Sequence, residues 1–224
     1  MASPVATADA VGRAVRILHV DATCVVADKP AGQLSVPGRG LLSEGSLCGQ
    51  VQALHPTART VHRLDMATSG LLLFGLGAHW QRVYSQLFAA RGIHKRYVAV
   101  VHGCLGTAPG SRGEIELPLA ADWPNRPRQQ VDREHGKPSL TRWEVLEHGR
   151  QEDWTRVALE PVTGRTHQLR VHLAAVGHPI LGDRLYAPGD VAAAAPRLML
   201  HAQSLDFDHP QTGLRTKVES VSPF

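Results

Sequence analysis

Segments in which apolar residues alternate with polar ones, or run together, mark the predicted β-strands of this chain. Val15 and Ile17 begin one such segment, which turns at residues 21–23 and continues as an apolar run at residues 24–27, a pattern typical of a strand pair. Residues 71–75 form a continuous apolar run, as expected of a buried strand. Four further strands are predicted at residues 97–101, near Ile115, at residues 140–146 and at residues 155–159.

Three segments show the three- and four-residue spacing of apolar positions that is typical of helices. They cover residues 46–54, 80–90 and 166–176, and each is followed within two residues by Pro or Gly, which commonly end helices. In the third helix, Leu169 and Val176 are predicted to face inward.

The order of these elements predicts a single α+β domain. Strands and helices are mixed without a regular β-α-β alternation, which favours an antiparallel or mixed sheet. The domain is expected to span residues 14–224, after a flexible tail at residues 1–13 that lacks the apolar core of a secretion signal. Residues 105–137 are rich in Gly and Pro, and so long a connection is expected to be either mobile or functional.

Composition narrows the class of protein. The 224 residues are 43% apolar, enough for one well-buried domain, and no apolar stretch reaches the roughly 18 residues of a membrane span. Cys24, Cys48 and Cys104 form no Cys-x-x-Cys pair, which predicts reduced thiols in a cytoplasmic protein. The 13 histidines include no His-Glu-x-x-His array, so no metal site is expected.

The distribution of charge favours a nucleic-acid partner. The formal charge is +4 and the sequence pI is near 9.3, a balance on the basic side. Residues 122–142 hold five cations against three acids, and Lys95 and Arg96 belong to a second basic cluster without an acid. Such clusters are ordinarily solvated faces, but beside an RNA site they are expected to contact phosphates.

The run His-Arg-Leu-Asp-Met-Ala-Thr-Ser-Gly-Leu-Leu-Leu at residues 62–73 holds the main candidate for chemistry. It sets the carboxylate of Asp65 beside the cation of Arg63, just ahead of a turn and an apolar strand. A reactive acid needs a rigid element to aim it and a positive charge to keep it ionised. Arg-Leu-Asp alone is ordinarily a surface ion pair, so the interpretation depends on the rest of the chain.

The whole run resembles the active-site motif of the RluA-type pseudouridine synthases. The resemblance extends from about Val15 to the end of the chain, and residues 122–127 resemble the members of that family that act on both large-subunit ribosomal RNA and a tRNA anticodon loop. Four further motifs of the family are matched in the expected order, at residues 29–32, at residues 95–97, at residues 161–173 continued by 177–183, and at residues 198–202.

The resemblance implies roles for individual residues. Asp65 would be the catalytic aspartate, either attacking C1′ of the ribose or deprotonating C2′, and both routes remain open. Arg165, just ahead of a helix expected to begin at Thr166, would face Asp65 and keep it ionised. Tyr97 would stack on the flipped uracil, and Arg63 would enter the space that the extruded base leaves.

Other candidates would hold the RNA or line the uracil pocket. Arg126 and Arg128 are expected to grip phosphates while Trp123 anchors their loop. Leu198 and Leu200 fit either the wall of the uracil pocket or the core. The complete set of predicted RNA contacts is His62, Arg63, Lys95, Arg96, Trp123, Arg126 and Arg128.

The implied function is that of an isomerase that converts uridine to pseudouridine in structured RNA, in a stem-loop of 23S ribosomal RNA, in a tRNA anticodon stem-loop or in both. The reaction oxidises nothing and gains no group, so neither cofactor nor metal is expected; the chain carries no phosphate-cradling Gly loop and no dinucleotide fingerprint. The alternative is a catalytically silent RNA-binding protein of the same fold. A monomer without the S4-type RNA-binding domain of several relatives is expected.

Overall fold

The computed structural model describes residues 15–38, 45–149 and 153–224, so the predicted tail at residues 1–13 lies outside the described residues. In the described ranges, ten strands form one mixed sheet and two more form a separate hairpin. Four helices accompany them there. This architecture confirms the predicted α+β class. None of the helices in these ranges is long and apolar enough to cross a membrane.

The first half of the sheet is built around β4 (Ser69–Leu76). On one side β4 pairs antiparallel with β2 (Cys24–Lys29), which pairs in turn with β1 (Arg16–Val20). The short β3 (Ala58–Thr60) pairs with the end of β4. The predicted strand pair and the predicted buried strand are therefore confirmed.

Two helices cover opposite faces of this half and explain why β4 is apolar throughout. Leu72 and Phe74 of β4 pack with buried residues of α1 (Leu47–Leu54). The alternate residues Leu71 and Leu73 pack with Tyr84 of α2 (Gly77–Ala89). A strand that is buried on both faces needs apolar side chains at every position.

The second half of the sheet consists of β5 (Ile93–His102), β10 (Trp154–Pro161), β9 (Leu140–His148) and β6 (Arg112–Glu116), paired antiparallel in that order. These strands confirm the remaining four strand predictions. Their core also holds Leu169 and Leu173 of α3 (Gln168–Ala175).

The two halves are joined by β11 (Leu200–Asp208), which lies between β4 and β5. It runs parallel to β4 and antiparallel to β5, and β12 (Arg215–Glu219) pairs with it as well. Gly70 allows the parallel contact: a Cβ built there would overlap the backbone of Ala202. The motif at residues 62–73 therefore runs into the strand that contacts β11.

The structure departs from the predicted elements in several ways. Strands β3, β11 and β12 were not predicted. The third helix begins at Gln168, two residues later than predicted, because His167 takes a left-handed conformation with φ 55°. Val176 is 40% exposed, so its predicted inward position is wrong. The predicted connection at residues 105–137 contains a hairpin, and the chain adds a short helix before β11. These elements are β7 (Leu119–Ala121), β8 (Gln129–Val131) and α4 (Gly189–Ala193).

Candidate active site

A cavity of about 820 Å³ opens where the end of α2, the start of β5, the segment before β4 and the start of α3 meet. This volume lies within the usual range for ligand sites. Among the described residues that line it, lysines and arginines outnumber acids by six to two, so the cavity attracts anions. The charged lining residues are Arg63, Arg91, Lys95, Arg142, Arg165 and Arg170, with Asp65 and Glu160.

The segment that carries Asp65 is held in place through hydrogen bonds to the backbone of the residues on either side of Asp65. The Ser35 hydroxyl donates to the carbonyl of Leu64 at 2.6 Å and accepts from the Leu64 N–H at 3.0 Å. The carbonyl of Met66 accepts from the Gly32 N–H at 2.8 Å. Asp65 thus sits on a segment anchored on both sides, which holds its carboxylate in a fixed place.

Lys29 supplies a further anchor beneath this segment. Its fully buried ammonium donates to the carbonyls of Pro30, Gln33 and Met66 at 2.8–3.0 Å. Loss of hydration lowers the pKa of Lys29 to about 7, although the nearby Asp65 raises it. The motif at residues 29–32 therefore supports the segment that carries Asp65 from outside the cavity.

Asp65 is 24% exposed and faces two nitrogen-bearing side chains of the α3 region. Its Oδ1 lies 3.7 Å from Nε2 of His167, and its Oδ2 lies 3.6 Å from Nη1 of Arg170. Arg170, 4% exposed, also grips Asp183 through two hydrogen bonds of 2.8 and 2.6 Å. One guanidinium thus serves two carboxylates, and the bidentate bond to the buried Asp183 fixes the position from which it faces Asp65.

The predicted ion pair between Arg165 and Asp65 is not formed among the described residues. Arg165 is exposed on the cavity wall, and its Nε donates to the carbonyl of Pro138 at 3.3 Å. Because α3 begins at Gln168 rather than Thr166, Arg165 lies outside the first turn of the helix. The inward position on this segment belongs to Arg170.

His167 is held on its far side by Tyr186. The Tyr186 hydroxyl lies 2.6 Å from Nδ1 of His167 and accepts from the backbone N–H of Gln129 at 2.8 Å. Burial lowers the pKa of His167, which the negative charge of Asp65 opposes and the positive charge of Arg170 reinforces. The imidazole beside Asp65 is therefore biased toward its neutral form.

The structure brings Tyr97 and Leu200 to the cavity and keeps Leu198 out of it. Tyr97 of β5 lines the cavity, and burial together with the charge of Asp65 raises the pKa of its phenol. Leu200 lines the same wall. Leu198 is 3% exposed and belongs to the core around β5, β10 and α3, so the core alternative holds for Leu198.

Of the predicted RNA contacts near the cavity, His62, Arg63 and Lys95 line it. Nε2 of His62 accepts from the Leu73 N–H at 3.0 Å, and its ring lies tilted against that of Phe88 with the centroids 4.4 Å apart. Burial lowers the pKa of His62 to about 3, so this imidazole is a neutral acceptor near neutral pH.

Lys95 and Arg96 differ in their surroundings. The Lys95 ammonium lies over the Phe88 ring, 5.9 Å from its centroid, and burial lowers its pKa. Arg96 lies outside the cavity lining, with Nη2 3.7 Å from Glu144. The cavity-facing cation of this pair is therefore Lys95.

The remaining predicted RNA contacts lie on the β7–β8 hairpin, outside the cavity lining. Trp123 is 67% exposed, and the guanidinium of Arg126 lies 3.4 Å from its ring centroid. The guanidinium of Arg128 lies 5.5 Å from the ring centroid of Tyr186. The hairpin therefore offers exposed basic and aromatic groups at its tip and touches the Asp65 surroundings through Tyr186.

A group of potential metal donors also lies at the turn between β1 and β2. The ligand atoms of His19, Asp21 and Cys24 lie within 4.8 Å of one another. Asp21 Oδ2 lies 2.7 Å from Nε2 of His19 and 3.2 Å from Nε2 of His209, while Oδ1 accepts from the backbone of Thr23 and Cys24. Burial raises the pKa of Cys24 to about 11. The carboxylate of Asp21 is thus engaged in hydrogen bonds with its neighbours at this turn.

Sequence reasoning missed Arg170, His167, Asp183 and Tyr186 as members of the site. The first three lie within the motifs at residues 161–173 and 177–183 that the sequence analysis identified. The role of partner to Asp65 was, however, assigned to Arg165 in the same stretch. Arg170 follows Leu169, which was predicted to face inward, but the next residue of a helix points about 100° away, so the apolar spacing gave no signal for a buried cation there. Tyr186 lies three residues beyond the second motif.

Comparisons with known proteins agree with this geometry. A family model described as RNA pseudouridylate synthase matches residues 23–175. The chain is 48% identical over 197 residues to the dual-specificity RNA pseudouridine synthase RluA of Escherichia coli strain K12, covering 88% of each chain. It is 46% identical over 198 residues to the protein of that name from Vibrio cholerae serotype O1, covering 88% of this chain and 79% of that one.

A solved structure supports the same likeness. The human RNA pseudouridylate synthase domain containing 1 protein superposes with a TM-score of 0.78 at 28% sequence identity. The match covers 98% of this chain and 87% of the human chain.

Proposed function

The chain belongs to the RNA pseudouridylate synthase family, and we propose that Asp65 is the carboxylate with which it converts a uridine of structured RNA into pseudouridine. The supporting observation is the setting of Asp65: a partly exposed carboxylate between His167 and Arg170 in a basic cavity. The protein is an isomerase that acts on RNA.

The chemistry requires little beyond this carboxylate and a pocket. The N1–C1′ bond breaks, the uracil turns and a C5–C1′ bond forms; the C5 proton leaves and N1 gains a proton, so the product is an isomer of the substrate. Asp65 either attacks C1′ or removes a proton from C2′. Arg170 holds a fixed positive charge beside the Asp65 carboxylate and orients it. Tyr97 offers a surface on which the freed base turns, since stacking tolerates rotation of a ring in its own plane, and Leu200 closes the pocket.

The proposed RNA-binding surface runs from the cavity to the β7–β8 hairpin. Arg63 would fill the space that the extruded base leaves, while Lys95 and Arg165 would contact the adjoining phosphates. Arg126 and Arg128 would hold a more distant part of the backbone, with Trp123 stacked beneath Arg126. Their exposure and charge support this assignment.

We propose as substrates a stem-loop of large-subunit ribosomal RNA, a tRNA anticodon stem-loop, or both. The support is the resemblance of residues 122–127 to the members with both targets, together with 46–48% identity to relatives named as dual-specificity enzymes.

The proposed working unit is a cytoplasmic monomer whose catalytic domain spans residues 14–224. Large apolar side chains that remain exposed come from separate elements, such as Leu54 of α1, Leu146 of β9 and Leu214 before β12, so they do not suggest a shared interface.

Asp65→Asn tests the proposal, because it removes the reactive carboxylate and hardly changes the contact area. We expect release of tritium from RNA labelled at uridine C5 to be abolished, while the Kd for the same RNA stays within about tenfold. Asp208→Asn is the matched control, since Asp208 is an exposed carboxylate at the end of β11, and it should retain full activity. Turnover by a folded Asp65→Asn variant would refute the role of Asp65.

A further inference from the structure

We infer that Tyr186 is a positioning residue that couples the β7–β8 hairpin to the catalytic carboxylate through His167. The inference rests on the proposed role of Asp65 and adds a control over it. RNA bound to the hairpin would thereby fix the tautomer of the His167 imidazole that faces Asp65. Contacts between the RNA and the hairpin would then change the reaction rate as well as the affinity.

The coupling is a continuous path of short contacts. The backbone N–H of Gln129, the first residue of β8, donates to the Tyr186 hydroxyl at 2.8 Å. That hydroxyl lies 2.6 Å from Nδ1 of His167, whose Nε2 lies 3.7 Å from Oδ1 of Asp65. One tyrosine oxygen thus separates the hairpin backbone from the ring that faces the carboxylate.

The hydrogen bond that Tyr186 accepts from Gln129 favours one tautomer of His167. The Tyr186 oxygen accepts from Gln129, so its single proton is available for Nδ1 of His167. Nδ1 then acts as the acceptor, and the ring proton of neutral His167 resides on Nε2, pointed at Asp65. Without the hydroxyl, the proton is free to move to Nδ1, and the Nε2 lone pair would then face the carboxylate and repel it.

The ring of Tyr186 provides a second link between the same parts. The guanidinium of Arg170 lies 5.0 Å from its centroid, and that of Arg128, on the hairpin, lies 5.5 Å away. Cations at this range are attracted to an aromatic face. Both groups that flank Asp65, His167 and Arg170, therefore contact the tyrosine that also contacts the hairpin.

Tyr186 is itself held firmly enough to transmit a change. Asp183 Oδ1 accepts from the Tyr186 N–H at 3.2 Å and from the Leu185 N–H at 2.9 Å, while the same carboxylate binds Arg170. His167 has φ 55°, in the left-handed region that residues other than glycine rarely adopt. The Tyr186 hydroxyl contacts Nδ1 of this ring.

The path predicts how substrate contacts act. When RNA phosphates hold Arg126 and Arg128, the hairpin keeps the Gln129 N–H on Tyr186, and the imidazole presents its N–H to Asp65. An RNA that fills the cavity but leaves the hairpin free would bind and react slowly. Coupling of this kind changes the rate constant of the bound complex, which affinity alone does not report.

Tyr186→Phe removes the hydroxyl and keeps the ring. We expect the single-turnover rate constant at saturating stem-loop RNA to fall about 10- to 100-fold, the range caused by small misplacements at a reacting centre. The Kd should change less than about threefold, or ~0.7 kcal/mol. Tyr84→Phe is the matched control: the Tyr84 hydroxyl lies 2.8 Å from the Thr23 hydroxyl, and neither residue lines the cavity, so the rate should be unchanged.

A double-mutant cycle separates this coupling from a purely structural role. Glutamine at position 167 has no second tautomer, so Tyr186→Phe should cost less than about threefold in a His167→Gln background. An equal cost in both backgrounds, or a change confined to Kd, would overturn the inference.

A second variant guards against poor folding of Tyr186→Phe. His167→Gln alone interrupts the path at the next residue and leaves Tyr186 and the hairpin intact, so a rate loss of similar size is expected. A wild-type rate in His167→Gln would refute the coupling.

The variants also distinguish this inference from the proposed role of Asp65. If Asp65→Asn is inactive and Tyr186→Phe reacts at the wild-type rate, the coupling is wrong and the role of Asp65 stands. An active Asp65→Asn variant would refute both.

Discussion

At the scale of single residues, the site depends on the shape of one arginine. Arg170 uses Nε and Nη2 for Asp183 and turns Nη1 toward Asp65. Asp183 is 1% exposed, and a buried carboxylate is stable only when it is paired and hydrogen-bonded. Lysine has a single ammonium and lacks the planar fork that serves both carboxylates at once.

Arg170→Lys should therefore reduce both stability and activity. We expect the free energy of unfolding, measured by urea titration, to fall by about 2–4 kcal/mol, because Asp183 loses its bidentate partner in a buried setting. The single-turnover rate should fall at least about 100-fold, since Asp65 loses its fixed cation.

Arg165→Ala serves as the comparison for Arg170→Lys. Arg165 is exposed and donates to a single backbone carbonyl, so its loss should change stability by less than about 0.5 kcal/mol. It should weaken RNA binding and leave the rate at saturating RNA nearly intact. A larger rate loss from Arg165→Ala than from Arg170→Lys would return the partner role to Arg165.

At the scale of elements, the β7–β8 hairpin is the part of the described chain that combines exposed cations with a direct contact to the site. Its strands pair over only three residues each. It is tied to the body by the Leu119–Lys137 bridge and by the Gln129–Tyr186 hydrogen bond. These contacts connect the base of the hairpin to the surroundings of Asp65, while residues 123–128 at its tip stay exposed.

Arg126→Ala tests the RNA contact of this element. Loss of one phosphate contact should reduce the slope of the logarithm of the RNA-binding constant against the logarithm of salt concentration by roughly 0.7–0.9. Filter binding between about 50 and 200 mM salt would measure this slope. Arg215→Ala is the control, because Arg215 on β12 pairs with Asp206 and Asp208 and should keep the slope. An unchanged slope in Arg126→Ala would assign the hairpin tip a purely structural role.

At the scale of the whole molecule, buried histidines make stability dependent on pH. Burial lowers the pKa of His62 to about 3 and also lowers the pKa values of His167, His172 and His201. In the unfolded chain these rings take up protons below about pH 6.5. The folded chain stays neutral at them to lower pH, so the unfolded state binds more protons in acid.

The free energy of unfolding should therefore fall as the pH is lowered from about 6.5 to 5.5, above the range where carboxylates titrate. Each histidine that stays neutral in the folded state contributes a slope of up to ~1.4 kcal/mol per pH unit. Urea titrations across this range should show a smaller slope in His62→Gln than in the wild type. Equal slopes would mean that His62 is protonated in the folded protein.

Much of the fold and the position of the reactive group followed from local pattern. The apolar run of β4, the strand pair β1–β2 and the spacing of α1 and α2 were predictable, because burial of a strand or helix face leaves its period in the sequence. The placement of Asp65 before β4 and of Tyr97 in β5 also follows from motifs carried by short segments.

Tertiary structure alone decided which cation faces Asp65, how β11 joins the two halves and how Tyr186 reaches the site. The left-handed turn at His167 shifts the start of α3 and moves Arg170 inward in place of Arg165. The position of β11 between β4 and β5 depends on pairings across more than 100 residues. Periodicity reports whether a side chain is buried; the partner that it meets depends on how distant segments pack together.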